Sequence, residues 1–198
     1  MNHALMGEIA MAFTVIAYVP YIVSIFRNRT KPNRTTWLVL FLIGAITFIV
    51  YRDAGAQATL GVALANVVGP LVVFILAIKF GEGWKGKGDF KYLVFSAIAI
   101  ALWQLYDSPV IGLVFNLLAD FIAFLPTIKK SFQEPWTEDL PTWCIFTLGG
   151  IINLLAIEQW QFHIVIYPLY ILLAEGSVAG LLLWVHFTKN KDWYKIKS

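Results

Sequence analysis

AYVPYIVSIFRNRTKPNRTTW, residues 17–37, returns 106 positions later as AFLPTIKKSFQEPWTEDLPTW, residues 123–143. Each copy starts inside an apolar run, meets a proline at its fourth residue, crosses a polar stretch and ends on Thr-Trp. Without a gap, Ile16 to Ile46 matches Ile122 to Ile152 at ten of thirty-one positions, among them Pro20/Pro126, Phe26/Phe132, Thr36/Thr142, Trp37/Trp143 and Gly44/Gly150. Shared apolar composition produces some identities, but not Pro, Phe, Thr-Trp and Gly in a single register. A slightly larger offset places Ala65-Asn66 on Ala174-Glu175. The repeated unit therefore spans more than one apolar segment.

Around the repeat, the chain has the composition of a membrane protein. Of its 198 residues, 59% are hydrophobic and 14% charged, where a soluble domain carries about a quarter charged residues. Mean hydropathy is +0.72. Apolar stretches fall at about 5–26, 36–52, 58–79, 90–106, 109–128, 140–157 and 162–187; a membrane span needs roughly 20 such residues. The reading is an all-α membrane protein of seven transmembrane helices. The first stretch has no basic region before it and no cleavage site after it, which reads as a retained helix. Connections are short, and the glycine- and charge-rich link at 81–89 divides the chain.

A three-helix unit ends on the side opposite its start, so a second parallel copy needs one extra helix between them. The expected layout is a first three-helix bundle (1–80), a loop and linker helix (81–107), and a second bundle with a basic tail (108–198). Fourteen of the fifteen lysines and arginines fall on one side of this layout, and only Arg52 on the other. The positive-inside bias then puts the amino terminus outside and the carboxy terminus in the cytoplasm of a plasma (inner) membrane. A net charge of +3, with its basic residues in short loops, does not suggest a nucleic-acid partner. A single cysteine, Cys144, excludes an internal disulfide and a CxxC site. No cofactor or metal site is expected.

On these features the chain resembles the SWEET/PQ-loop superfamily of seven-helix transporters. The resemblance rests on the three-plus-one-plus-three topology, the outside amino terminus, and prolines near the cytoplasmic ends of the first and fifth segments. TKPNRTTW and FLPTIKK are also similar to an uncharacterised group of bacterial membrane proteins. The motif glutamine after each proline is replaced, by Tyr21 and Thr127. The resemblance implies a small-solute transporter, a uniporter or a proton-coupled carrier, working by alternating access between the repeats. It implies a small polar solute and the lipid bilayer as partners, and leaves assembly as a homo-oligomer open.

Asp120 and Glu175 are the sharpest polar signals, because each stands in the middle of an apolar stretch. Charge at that depth is costly, so such groups face a bundle interior or a water-filled cavity. Either is a candidate proton site or a tie between helices, and the resemblance implies a proton-coupling role for Glu175 through its place on the last helix. Asn66 is the repeat partner of Glu175. By resemblance to sugar carriers, Asn66 and Glu175 bind solute, with Tyr51 and Trp160 as aromatics some fifteen residues earlier. Both aromatics also suit interfacial anchors. Asn153, with Asn116, Thr147 and Tyr170, adds polar lining or interhelical hydrogen bonds. Pro20 and Pro126 weaken their helices locally, and the resemblance makes them hinges where the plain alternative is a static kink. Trp103 reads as packing; His163 and His186 stand too far apart to share a metal.

Enzyme readings lack their residues: no lysine lies mid-way along the last segment for a retinal, the GxGD at Gly86–Asp89 falls in the polar link and not in an apolar stretch, Asp120 is the one central aspartate, and no GxSG setting is present. The alternative to a transporter is a non-transporting seven-helix receptor of PQ-loop-like fold, in which the cavity recognises a ligand without moving it.

Overall fold

The structure, a computed structural model of the chain, describes residues 2–53, 55–83 and 109–188, with Val94, Ile98 and Ala101 between them. The described residues are all-helical in their regular elements: α1 His3–Phe26, α2 Arg34–Asp53, α3 Leu60–Phe80, α4 Pro109–Gln133, α5 Leu140–Leu155 and α6 Phe162–Thr188, with a 3₁₀ turn at Pro135–Thr137 before α5. The linker helix expected at 90–106, Trp103 within it, and the tail lysines lie outside the described residues, save that Val94, Ile98 and Ala101 are helical. Among the described residues, five helices are long and apolar enough to cross a membrane, and Leu140–Leu155 is a shorter apolar helix. The chain is an α-helical, multi-pass membrane protein.

The side chains are distributed to match. Leu64, Val68, Val72, Ile75 and Ile78 form an exposed stripe along α3, and Val15, Val19, Val23 and Phe26 do the same on α1. Their spacing of three and four residues marks one helical face. Apolar faces of this extent turned outward suit lipid and not water. Small and polar residues turn inward: Ala10, Thr14, Ala17, Ser24, Asn116, Ala119, Ala123 and Asn153 are all buried.

Local chemistry sets the helix ends. Asn28 takes a left-handed backbone (φ 55°) just past α1, and the amides of Arg29 and Thr30 turn back to the Ser24 carbonyl. Asparagine is among the few residues that accept this conformation cheaply. The repeat recurs as a cap. Asn33 accepts the Thr36 amide at the start of α2, and Asp139, 106 positions on, accepts the Thr142 amide at the start of α5. Each satisfies an otherwise orphaned first-turn donor.

Helix packing follows the repeat as well. Among the described residues α1 packs on α3 and α5, α2 on α3 and α4, and α6 on α4 and α5. Every helix thus has two principal neighbours, and the six close into a ring in the order α1, α3, α2, α4, α6, α5. Exchanging α1 with α4, α2 with α5 and α3 with α6 leaves this set of contacts unchanged. The two larger of three buried clusters lie towards the ring's interior. One gathers Tyr21, Ile25, Trp37, Phe124, Trp143 and Leu182; the other gathers Tyr51, Leu113, Leu117, Ile157, Ile164 and Tyr167.

Candidate functional site: a cavity at the centre of the ring

Between the two clusters lies a cavity to which all six helices contribute. Both members of several repeat pairs line it: Tyr18 and Phe124, Trp37 and Trp143, Leu40 and Phe146, and Asn66 and Glu175. Each half thus delivers the same helix face to the centre, so the symmetry of the sequence becomes the symmetry of a site. The space open to the centres of water-sized molecules is about 60 Å³. One water needs at least about 10–15 Å³ by that measure and takes ~30 Å³ in the liquid, so the cavity has room for a few.

Its polar groups break the symmetry. On the α3 side, the Tyr18 hydroxyl donates to Asn66 Oδ1 at 3.2 Å, and Asn66 Nδ2 donates to the Tyr167 hydroxyl at 3.4 Å. On the α4 side, the Tyr170 hydroxyl donates to Asp120 Oδ2 at 2.5 Å. Glu175 lines the cavity within electrostatic range of Asp120. Both carboxylates come from the second half, where the first half offers an amide and a phenol.

Two close approaches build the Asn66 corner. A side chain at Gly69 would run into the ring of Tyr18, so this glycine lets the ring lie flat on α3 and reach Asn66. A side chain at Gly44 would collide with the Asn66 backbone oxygen. That oxygen is the one Pro70 leaves without its helical donor, since a proline at position i cannot serve the carbonyl at i−4.

Contacts between the two halves cross the ring towards each end of the cavity. One turn beyond Tyr18, towards the basic loops, the Tyr21 hydroxyl donates to Glu138 Oε2 at 3.3 Å and Trp143 Nε1 donates to the same oxygen at 3.2 Å. Lys130 Nζ lies 3.0 Å from Glu138 and 3.2 Å from Glu82, and also donates to the Lys31 carbonyl. The Glu138 side chain is 1% exposed. This network ties Lys31 and Glu82 of the first half to Lys130 and Glu138 of the second. In the other direction, one turn beyond Thr47, Tyr51 is fully buried with its ring against Tyr167. Its hydroxyl bonds Thr59 Oγ1 at 2.7 Å and donates to the Ile164 carbonyl at 2.9 Å. Ile164 is four residues before Pro168, so the phenol supplies the donor the proline lacks. Beyond this closure a polar depression of about 240 Å³ is lined by Gln57, Glu158, Gln159, Gln161 and His163 among others.

Of the residues singled out in the sequence, Asn66, Asp120 and Glu175 meet in the cavity, and Tyr170 joins them. Tyr51 and Trp160 do not. Tyr51 belongs to the closure, because its phenol is drawn to the Ile164 carbonyl. Trp160 stands in the loop between α5 and α6 and is 71% exposed. Asn153 also lies off the cavity: it is wholly buried in α5, and neither side-chain polar atom has a protein partner. Asn116 bridges α4 to α2 through the Ile43 carbonyl and Thr47, and Thr147 bonds its own helix at the Trp143 carbonyl. Pro20 and Pro126 lie inside α1 and α4, two residues past Tyr18 and Phe124. The sequence reading passed over Pro70 and Pro168, though a proline in an apolar run was their signal. It also passed over the Lys130–Glu138 pair, whose members look like ordinary loop charges.

The chain matches none of the family models, curated proteins or solved structures with which it was compared.

Proposed function

We propose that the protein is a small-solute membrane transporter of SWEET/PQ-loop type, working by alternating access between two three-helix halves. The two halves are α1–α3 and α4–α6. The observation that carries this reading is the ring of helices around a largely apolar central cavity that holds Asn66, Asp120 and Glu175, with a separate cluster of cross-half contacts, a closure in this scheme, at each end. A site that a solute reaches from either side needs one such closure to open while the other holds. The invariance of the helix contacts on exchanging halves supports a device that rocks one repeat against the other, with the site near the midplane. The four helix-interior prolines lie at or beside the cavity and its closures, where the backbone ladder is already interrupted. Pro20 and Pro126 are the hinges of this scheme, Asn66, Asp120 and Glu175 the solute site, and Glu175 and Asp120 the proton-coupling pair.

The orientation follows from charge. Arg27, Arg29, Lys31, Arg34, Lys79, Lys129 and Lys130 gather at the end closed by Glu138, which the positive-inside bias assigns to the cytoplasm. The carboxy terminus then lies inside and the depression around His163 outside.

Reconstitution tests the proposal. Proteoliposomes loaded with unlabelled small polar solutes (polyols, amines and amino acids) should exchange at least one radiolabelled counterpart faster than protein-free vesicles. A solute that binds the purified protein, yet crosses no faster than in empty vesicles, would identify a receptor.

A further inference from the structure

We propose that the central cavity takes a small organic cation, an amine or quaternary ammonium without an acid group. The assignment rests on reading the cavity as a solute site. Of its lining residues, Asp120 and Glu175 are acidic and none is basic. Several of the neutral hydrogen-bonding groups are already engaged, though Trp37 Nε1 has no hydrogen-bond partner among the described residues. Both ends of the Asn66 amide are taken by Tyr18 and Tyr167, and the Tyr170 hydroxyl is given to Asp120. A sugar, which needs many donors and acceptors, therefore finds few left over. Glu175, by contrast, has no hydrogen bond or ion pair among the described residues, and its charge has no protein counter-charge in the cavity.

The walls point the same way. Tyr18, Trp37, Phe124, Trp143, Phe146 and Tyr167 bring aromatic rings to the space between the carboxylates and the closures. Aromatic faces attract a desolvated cation by their quadrupole, and rings combined with acid groups are a recurrent way of holding ammonium. Size narrows the class. Room for only a few waters suits a small solute, of the order of methylammonium to choline in size. A carboxylate on that solute would meet two acid groups and no basic group, so a zwitterion is disfavoured.

Calorimetric titration of the full chain in lipid nanodiscs tests this with four probes: methylammonium, choline, 3,3-dimethylbutan-1-ol (choline's neutral isostere) and trimethylglycine (the same head group bearing a carboxylate). At least one of the two cations should bind. The neutral isostere and the zwitterion should each bind about tenfold more weakly than choline, or worse. Glu175→Gln, which keeps the side chain's shape, should weaken cation binding by a similar factor while leaving the melting temperature in place. Failure of both cations to bind, or an isostere or zwitterion as tight as choline, would overturn the assignment. Flux separates the two proposals. Cation binding without movement across proteoliposomes removes the transporter and keeps the cation site; flux of a neutral solute with no cation binding does the reverse.

Discussion

Gly69 and Lys130 show how much rests on single residues here. The space Gly69 leaves is filled by the Tyr18 ring, so Gly69→Ala forces a shift in a packed interior, at a cost of ~1–3 kcal/mol. Gly180 in α6 has nothing within reach of an added methyl group. There Gly→Ala should be neutral or stabilise by up to ~1 kcal/mol through helix propensity. Thermal unfolding in detergent should separate the two, and equal tolerance would mean that Tyr18 does not pack as described. Lys130 neutralises Glu138, whose side chain is almost fully enclosed. Removing the cation alone strands a buried charge, so Lys130→Met should cost ~3–5 kcal/mol. Adding Glu138→Gln should recover part of that loss, giving a favourable coupling in a double-mutant cycle. Additive losses would show that the pair contributes nothing as a pair.

At the scale of the element, the helices are interrupted where the closures form. The Tyr51 phenol serves the carbonyl that Pro168 leaves open, and losing a donor to a buried carbonyl costs ~1–3 kcal/mol. Tyr51→Phe should destabilise by that amount. In a Pro168→Ala background, where the helix supplies its own amide, the same change should cost much less. An undiminished cost in that background would place the role of Tyr51 elsewhere. This element also marks the reach of sequence reasoning. The inward faces of α3 and α6 were legible, because Asn66 and Glu175 are polar residues at matched positions inside apolar runs. Tyr51 and Trp160 were assigned by counting back some fifteen residues, a distance that leaves the helix and crosses a turn, where helical phase is lost. Lys130 and Glu138 are joined through a 3₁₀ turn, which has no period to read. The repeat itself diverges in chemistry. The Thr36 hydroxyl donates across to the Ala123 carbonyl, while its mate Thr142 donates to the carboxylate of Asp139. Asn33 and Asp139 are equivalent caps, but only Asp139 offers a charged acceptor that draws in the hydroxyl as well as the amide.

At the scale of the whole molecule, the repeat read in residues 17–37 and 123–143 becomes a ring whose contacts survive exchange of the halves, around a cavity whose charges do not. The pairing of Asn66 with Glu175 confines both carboxylates to one side, so rocking of the halves would carry the charged wall past a neutral one. The central claim is that this cavity opens alternately to the two faces of the membrane. Site-directed labelling tests it without knowledge of the solute. With Cys144 replaced by serine and Ala174, a cavity-lining position, replaced by cysteine, a membrane-impermeant maleimide is applied to reconstituted protein from one face and then, in a separate sample, from the other. The account predicts labelling of residue 174 from both faces, each reaction slowed by choline. Labelling from one face alone, with or without ligand, would contradict it.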